Sequence, residues 1–321
     1  AITAEIEFYC SDPFKYSVEE YEVTPTADDG TTFVVDYKGT YKAHPTFEAV
    51  MENGENGFIG FVDQDKHILQ IGNIEETDGE NYKANETLAT LQDFFNAPDD
   101  TSGTDYMHPL YGAKGKLGTT TWFNNKFLCL KEAGAQVGGA NGGLRTVILP
   151  ADSNGDKSGC KNFYAYFHIL FYAGLMGQTG EMCINFLTED NKLICGVNWY
   201  KTDMSGNTGR YELVCYNPNK KDTDHQAGKV LRAYGYTTSH LHTQNPWYWD
   251  WGHCDIRKEG SKLTFFYWGG YPSFTVPEIE DMKCTKIQIA IKQWGNRSGS
   301  RYLTYNGINN FWFQKLHVDK W

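Results

Sequence analysis

The stretch Asn162-Phe163-Tyr164-Ala165-Tyr166-Phe167-His168-Ile169-Leu170-Phe171-Tyr172 decides the fold class of this chain. Its odd positions, Phe163, Ala165, Phe167, Ile169 and Phe171, suit a core. Four of its even positions, Tyr164, Tyr166, His168 and Tyr172, carry rings with a polar tip. Alternation with period two is the mark of a strand with one face buried and the other toward water. The apolar run 163–177 covers 15 residues and contains His168, which is short for a membrane span. Residues 192–200 repeat the pattern, with Leu193, Cys195 and Val197 on one side and Asn198 and Tyr200 on the other. Residues 285–294 put Ile287, Ile289 and Ile291 inward and Lys286, Gln288, Lys292 and Trp294 outward. With 262–268, 311–316 and Gly- and Asn-rich turns, the pattern predicts a many-stranded antiparallel β-sandwich.

Upstream, Ile6, Phe8 and Cys10 alternate with Glu5, Glu7 and Tyr9, and Phe33, Val35 and Tyr37 repeat the alternation. Residues 57–62 and 67–71 flank Asp63-Gln64-Asp65-Lys66, the signature of a hairpin. Pro13, Pro25 and Pro45 fit strand edges or turns. From Ile74 the chain turns acidic. Leu88, Leu91, Phe94 and Phe95 then share one helical face, predicting a helix of about ten residues that closes at Asn96-Ala97-Pro98. Residues 99–105 read as a polar linker. The expected organisation is a strand segment at 1–75, an acidic linker with a short helix at 76–108, and a β-sandwich at 109–321.

A chain of 321 residues suits two domains, or one large β domain with an appendage. Its 49 aromatic residues exclude a disordered chain, and its composition excludes a coiled coil. The net charge of −11 argues against nucleic acid as a partner. That total hides a split: 23 acidic and 5 basic residues in 1–108, but 17 and 24 in 109–321, net charges of −18 and +7. The split readmits anionic partners for the second part alone. The eight cysteines form no C-x-x-C pair, and several lie in apolar strand-like runs, so they are expected to be reduced thiols acting as small hydrophobes. Reduced thiols fit synthesis in a cytoplasm. The chain opens on Ala1 rather than Met and without a signal peptide, which reads as a cut start.

No G-x-S-x-G, G-x-x-x-x-G-K-[ST] or H-E-x-x-H motif is present. Glu278-Ile279-Glu280-Asp281 is the best carboxylate cluster for a sandwich glycanase, but it lacks the third-position Asp and the following acid of an E-x-D-x-x-E run and reads as a solvated turn after Pro277. Asp152, Asn154 and Asp156 alternate as calcium ligands do, although the twelfth position is Phe163 rather than Glu. His240 and His242 would share one strand face, with no third zinc ligand in view. The sharper signal is aromatic. Asn245-Pro246-Trp247-Tyr248-Trp249-Asp250-Trp251 places four large rings in five positions. Sugars stack their C–H faces on such rings and hydrogen-bond to polar groups beside them. A face built from Tyr164, Tyr166, His168, Asn198 and Tyr200, with Trp247, Trp249, Trp251, Trp268 and Trp294, has the composition of a saccharide groove.

Two sets of motifs carry a family resemblance. Glu5-Ile6-Glu7-Phe8, Asp12-Pro13-Phe14-Lys15-Tyr16-Ser17, Gly39-Thr40-Tyr41 through Pro45-Thr46-Phe47, Gly57-Phe58-Ile59-Gly60-Phe61 and Gln70-Ile71-Gly72 resemble the galectin-like domain of siphophage (or prophage) distal tail proteins. The run from Gly252 to Leu263, Tyr271-Pro272-Ser273-Phe274-Thr275-Val276-Pro277 and Gln293-Trp294-Gly295-Asn296 resemble the carbohydrate-binding modules of the enlarged, "evolved" members. The resemblance implies an all-β chain: a partial galectin-like β-sandwich joined to a larger concanavalin- or lectin-like one. It implies a non-catalytic baseplate component at the virion tail tip, made in the host bacterial cytoplasm. That component would bind host cell-surface polysaccharide and other phage tail proteins, and in full length would form a hexameric ring. No membrane partner is implied and no cofactor beyond the calcium candidate. A glycan depolymerase and a purely architectural ring or docking module are the alternative functions. In that family a belt domain would precede residue 1 and closing strands of the galectin-like domain would follow Trp321, so the resemblance implies an excised piece in which residues 1–75 are an incomplete sandwich.

Overall fold

The computed structural model describes residues 22–24, 33–39, 46–48, 58–72, 84–136, 138–220 and 228–317, in two units, Ala1–Glu80 and Asn81–Trp321. In the first unit β1 (Phe58–Val62) and β2 (Ile68–Gly72) form an antiparallel hairpin. The Asp63 carboxylate closes its loop by accepting the backbone N–H groups of Asp65 and His67 at 2.9 and 2.8 Å. The hairpin matches the sequence expectation. Residues 33–39 do not, because they form no strand: Val34 and Val35, which alternation puts on opposite faces, are both exposed, so no apolar surface selects one face. The strand expected at Ile6, Phe8 and Cys10 lies outside the described residues, as do Pro13, Pro25 and Pro45.

Among the described residues the second unit holds fourteen strands. They are β3 (Asn85–Thr90), β4 (Lys116–Trp122), β5 (Asn125–Glu132), β6 (Ala140–Ile148), β7 (Phe163–Tyr172), β8 (Gly180–Leu187) and β9 (Leu193–Lys201), followed by β10 (Thr208–Cys215), β11 (Lys229–Thr237), β12 (His253–Glu259), β13 (Lys262–Phe265), β14 (Ser273–Thr275), β15 (Lys286–Trp294) and β16 (Tyr305–Leu316). One sheet has six strands in the order β11-β10-β9-β8-β15-β6. The other has eight, β14-β13-β12-β7-β16-β5-β4, with β3 also paired to β16. All the strand pairings are antiparallel. The fold is an all-β, antiparallel sandwich of two sheets.

Alternation places the core as the sequence predicts. Phe163, Ala165, Phe167, Ile169 and Phe171 of β7 are fully buried against residues of the other sheet, among them Phe186, Trp199, Ile287, Ile289 and Ile291. Phe163 stacks on Phe186 at 5.1 Å, and Phe167 meets Trp199 edge to face at 5.6 Å. Each of the seven described cysteines is a buried free thiol. Among the described residues no helix is long and apolar enough to cross a membrane.

Residues 84–108 are not a linker. β3 is a strand of the eight-stranded sheet, with Thr90 opposite Trp312. Leu88 therefore belongs to a strand, and α1 is only six residues, Leu91–Asn96. The Asp93 carboxylate accepts the Thr90 backbone N–H at 2.7 Å and starts that helix. Its other end is held by the buried guanidinium of Arg145 on β6. Arg145 donates to the carbonyls of Phe94 (2.9 Å), Phe95 (3.1 Å) and Leu117 (2.7 Å) and to Asp99 (2.9 Å). The Phe94 and Phe95 carbonyls would otherwise lack partners at the helix C-terminus. Moving the boundary changes the charge account: residues 81–321 hold 22 acidic and 25 basic side chains, a net of +3 rather than +7.

Trp247, expected in a groove, is a core residue at 1% exposure, wedged between Tyr211 at 4.7 Å and Trp199 at 5.4 Å. Trp247→Ala is predicted to cost about 3–5 kcal/mol in chemical denaturation, as large-to-small core changes of this size do. A loss under 1 kcal/mol would contradict this placement.

Candidate functional site

The sequence-predicted face does not exist as one surface. Tyr164, Tyr166 and His168 lie on the outer side of the eight-stranded sheet, whereas Asn198, Tyr200 and Trp294 lie on the outer side of the six-stranded sheet. Period-two parity tells which residues avoid the core, but not which of two sheets their strand joins.

On the eight-stranded side the rings cover one another. Trp312 of β16 stacks on Tyr166 at 4.2 Å and 17°, and His168 stacks on His253 of β12 at 4.3 Å and 6°. The Tyr166 hydroxyl bonds His253 Nδ1, and His168 Nε2 bonds the Trp249 carbonyl at 2.6 Å. This is a cross-strand ladder, which stabilises a sheet and leaves few ring faces for a sugar. Trp249 itself stacks on Phe123 at 4.6 Å; both have left-handed backbones, at φ +47° and +49°. Trp251 is 55% exposed beside His242, and Trp268 is 41% exposed in the β13–β14 turn.

The six-stranded side carries a cavity of about 270 Å³, lined by His108, Tyr111, Glu181, Asn198, Tyr200, Thr202, Glu212 and Trp294. Its floor follows from strand register. Glu181 of β8 lies opposite Tyr200 of β9, and Asn198 of β9 lies opposite Glu212 of β10. The Tyr200 hydroxyl donates to Glu212 Oε1 at 2.8 Å. Burial and the Glu212 charge push that phenol up to about 12, so it remains a donor. Asn198 is 1% exposed; its Nδ2 faces His108 Nε2 at 3.0 Å, and its Oδ1 is buried without a partner in the fold. The walls are aromatic. Tyr111 meets Trp294 edge to face at 5.2 Å. A Cβ on Gly139 would come within 2.5 Å of the Trp294 ring, so that ring rests directly on a glycine backbone.

His108 and Tyr111 reach the cavity because residues 103–113 run as a strap over the sheet. Asp105 fastens it. This fully buried carboxylate accepts from Lys292 Nζ at 2.6 Å, Asn185 Nδ2 at 2.8 Å and Cys183 Sγ at 3.1 Å. Burial alone would raise its proton affinity, but Lys292 and His108 more than offset that and hold it well below the usual carboxylate range. Lys292 also reaches Glu181 Oε1 at 3.2 Å, and Gln288 Nε2 donates to the Thr104 carbonyl at 3.0 Å. Gln288 and Lys292 do face outward, as parity predicts, yet the strap buries both. Sequence reading missed His108, Tyr111, Glu181 and Glu212. The signal for Glu181 was a lone carboxylate in the mostly apolar strand β8; nothing local marked the strap.

The other candidates resolve differently. Asp152 and Asp156 converge on the Lys315 ammonium at 2.7 and 2.9 Å, which supplies there the positive charge a calcium ion would bring. Asn154 is exposed beside them. His240 and His242 fall in the turn after β11 rather than on a strand, and His242 faces Asp250 at 3.5 Å. Glu278, Glu280 and Asp281 are exposed around a single 3-10 turn, and Asp281 pairs with Lys161 at 3.1 Å.

Fold and site together define an antiparallel β-sandwich with an aromatic-walled polar cavity on its six-stranded sheet. No protein-family model matches the chain, and no curated protein does. Among solved structures it is similar to the CBM2 module of the evolved Dit of Lactobacillus casei phage J-1. That likeness has 14% identity and a TM-score of 0.52 over 74% of this chain and 99% of that one. A legume lectin-like domain from Entamoeba histolytica matches at 12% identity and TM-score 0.32, over 62% and 86% of the two chains. A Bacteroides ovatus family 16 endo-glucanase matches at 10% and 0.37, over 74% and 97%.

Two predictions test these electrostatics. Lys292→Met strands two buried carboxylates and is expected to cost about 3–5 kcal/mol of unfolding free energy; an unchanged denaturation midpoint would contradict the buried pairing. Asp255 of β12 is partly buried beside Tyr164, and lost hydration pushes its carboxyl up to about 6, against the pull of the Tyr164 hydroxyl. Its folded-state value thus lies above its unfolded one, so the folded protein holds the proton more tightly. Its contribution favours folding at low pH and is lost as pH rises from about 4 through 6. Asp255→Asn should therefore raise stability at pH 8 while changing it little at pH 4; equal effects at both would refute this assignment.

Proposed function

We propose that the protein is a non-catalytic saccharide-binding component of a phage tail tip, and that the cavity on the six-stranded sheet is where bacterial cell-surface polysaccharide binds. The carrying observation is the convergence, in one cavity of about 270 Å³, of two aromatic walls with carboxylate, amide and phenol groups. Tyr111 and Trp294 would stack on a sugar ring while Glu181, Asn198, Tyr200 and Glu212 meet its hydroxyls. Such a site is mostly preformed, since each polar group is already oriented by a neighbour. The tail-tip setting is supported by the sequence motifs and by the fold shared with a phage Dit module. The ladder side of the sandwich is assigned to sheet stability.

A second reading, glycan cleavage, is favoured by one observation: Glu181 and Glu212 line the same cavity. It predicts reducing-end release that Glu212→Gln abolishes. The non-catalytic reading predicts none from any bound polysaccharide.

A glycan array probed with the full chain, followed by titration of the best ligand, tests the site. Tyr111→Ala and Trp294→Ala should each weaken binding by about thirtyfold, the effect of losing a buried aromatic anchor of about 2 kcal/mol. Trp251→Ala and Trp268→Ala should leave it unchanged. The reverse pattern would move the site to the turns that carry those residues.

A further inference from the structure

The charges around the cavity are unequal, and this bears on which saccharide it takes. The inference rests on the saccharide reading above and sharpens it. Among the described residues lining the cavity there is neither Lys nor Arg. Beneath it, Lys292 is one ammonium set against two carboxylates, Asp105 at 2.6 Å and Glu181 at 3.2 Å. At the rim, Arg210 lies across the β9–β10 pair from Tyr200, hydrogen-bonds its hydroxyl and stands against Glu212. Asp105, Glu181 and Glu212 thus outnumber Lys292 and Arg210 by one, with the His108 imidazole beside Glu181 at 3.4 Å. Lys292 is fully buried and Asp105 entirely so, which keeps water from screening that balance.

Hydrogen-bond capacity leans the same way. Ionised Glu181 and Glu212 are acceptors only. The one polar atom of the lining that is buried without a partner in the fold, Asn198 Oδ1, is also an acceptor. The Tyr200 hydroxyl is already directed at Glu212. A ligand entering this cavity is therefore asked for donors and for positive charge.

We propose that the cavity selects a saccharide bearing a free ammonium group, an amino sugar without its N-acetyl cap, over N-acetylated or carboxylate-bearing sugars. An ammonium brings three donors and one positive charge to a lining that holds two carboxylates and the unpartnered Asn198 Oδ1. An N-acetyl group brings one N–H together with a carbonyl that meets other acceptors. A uronate or phosphate brings like charge against Glu212, which disfavours it more strongly still. The modest positive charge of the whole second unit then serves long-range approach to an anionic cell surface, and the cavity makes its own opposite choice.

The test uses the full chain and saturation-transfer NMR with titration, at low ionic strength and below the pKa of the amine. The probes are oligosaccharides of the gluco and galacto series in three matched forms: free amine, N-acetylated and uronate. The free-amine form is expected to bind at least about tenfold tighter than its N-acetylated match, the effect of a charge-assisted hydrogen bond. Added salt should erode that margin, and Glu212→Gln should remove it while the N-acetylated form loses less. The salt series needs no variant, so misfolding of Glu212→Gln cannot mask the answer. Equal binding of amine and N-acetyl forms, both weakened by Tyr111→Ala, would overturn the amino-sugar preference and leave the saccharide site standing. Tightest binding by a uronate would overturn the preference as well. Binding of no probe would overturn both.

Discussion

The contact between Lys292 and Asp105 is the constraint on which the functional surface depends. Neither residue can be buried alone, because moving one charge out of water costs several kcal/mol. Buried together at 2.6 Å, with Asn185, Cys183 and Glu181 completing the shell, they tie a strap of loop to an open sheet. The strap covers Leu144, Cys183, Val214 and Ala290 with Met107 and Ala113, making a second, smaller core outside the sandwich. Beside it a gap remains over Asn198 and Tyr200 of β9. That gap, walled by His108 and Tyr111 from the strap and by Trp294 from β15, is the cavity. Strap, second core and cavity share one electrostatic cause.

The two outer faces show how similar compositions serve different ends. Both are rich in rings with polar tips. On the eight-stranded sheet the rings stand in neighbouring strands and stack on each other, as Tyr166 does on Trp312. On the six-stranded sheet Tyr111 and Trp294 meet edge to face, and β8, which carries Glu181, lies between the strands of Trp294 and Tyr200. Rings that cover one another hold strands together. Rings set at an angle around polar groups leave a ring face for a ligand.

Much of the fold was legible because alternation is local. The parity of Phe163 to Phe171 identified the core of β7, and the triplet Ile287, Ile289 and Ile291 identified that of β15. The hairpin around Asp63 to Lys66 followed from its turn residues. What stayed illegible was non-local. Leu88 looks helical beside Leu91 until β16 offers it a strand to join. Residues 99–105 look like a linker because Asp105 is polar, and only Lys292, 187 positions away, makes it a buried anchor. The candidate site was half legible: parity points Asn198, Tyr200 and Trp294 away from the core, and they meet in one cavity. Tyr164, Tyr166 and His168 passed the same parity test on a strand of the other sheet. Trp247 was chosen for its place in an aromatic run, and the run turns inward at that residue because Asn245 bonds the Phe171 carbonyl and draws the chain over the core.

The central claim, that saccharide contact is made on the six-stranded sheet, is tested most directly by footprinting aromatic side chains with hydroxyl radicals. The full chain would be labelled with and without fractionated bacterial cell-wall polysaccharide. The account predicts protection of Tyr111, Tyr200 and Trp294, with Tyr164, Tyr166 and Trp312 unchanged. Protection of the second set alone would contradict it.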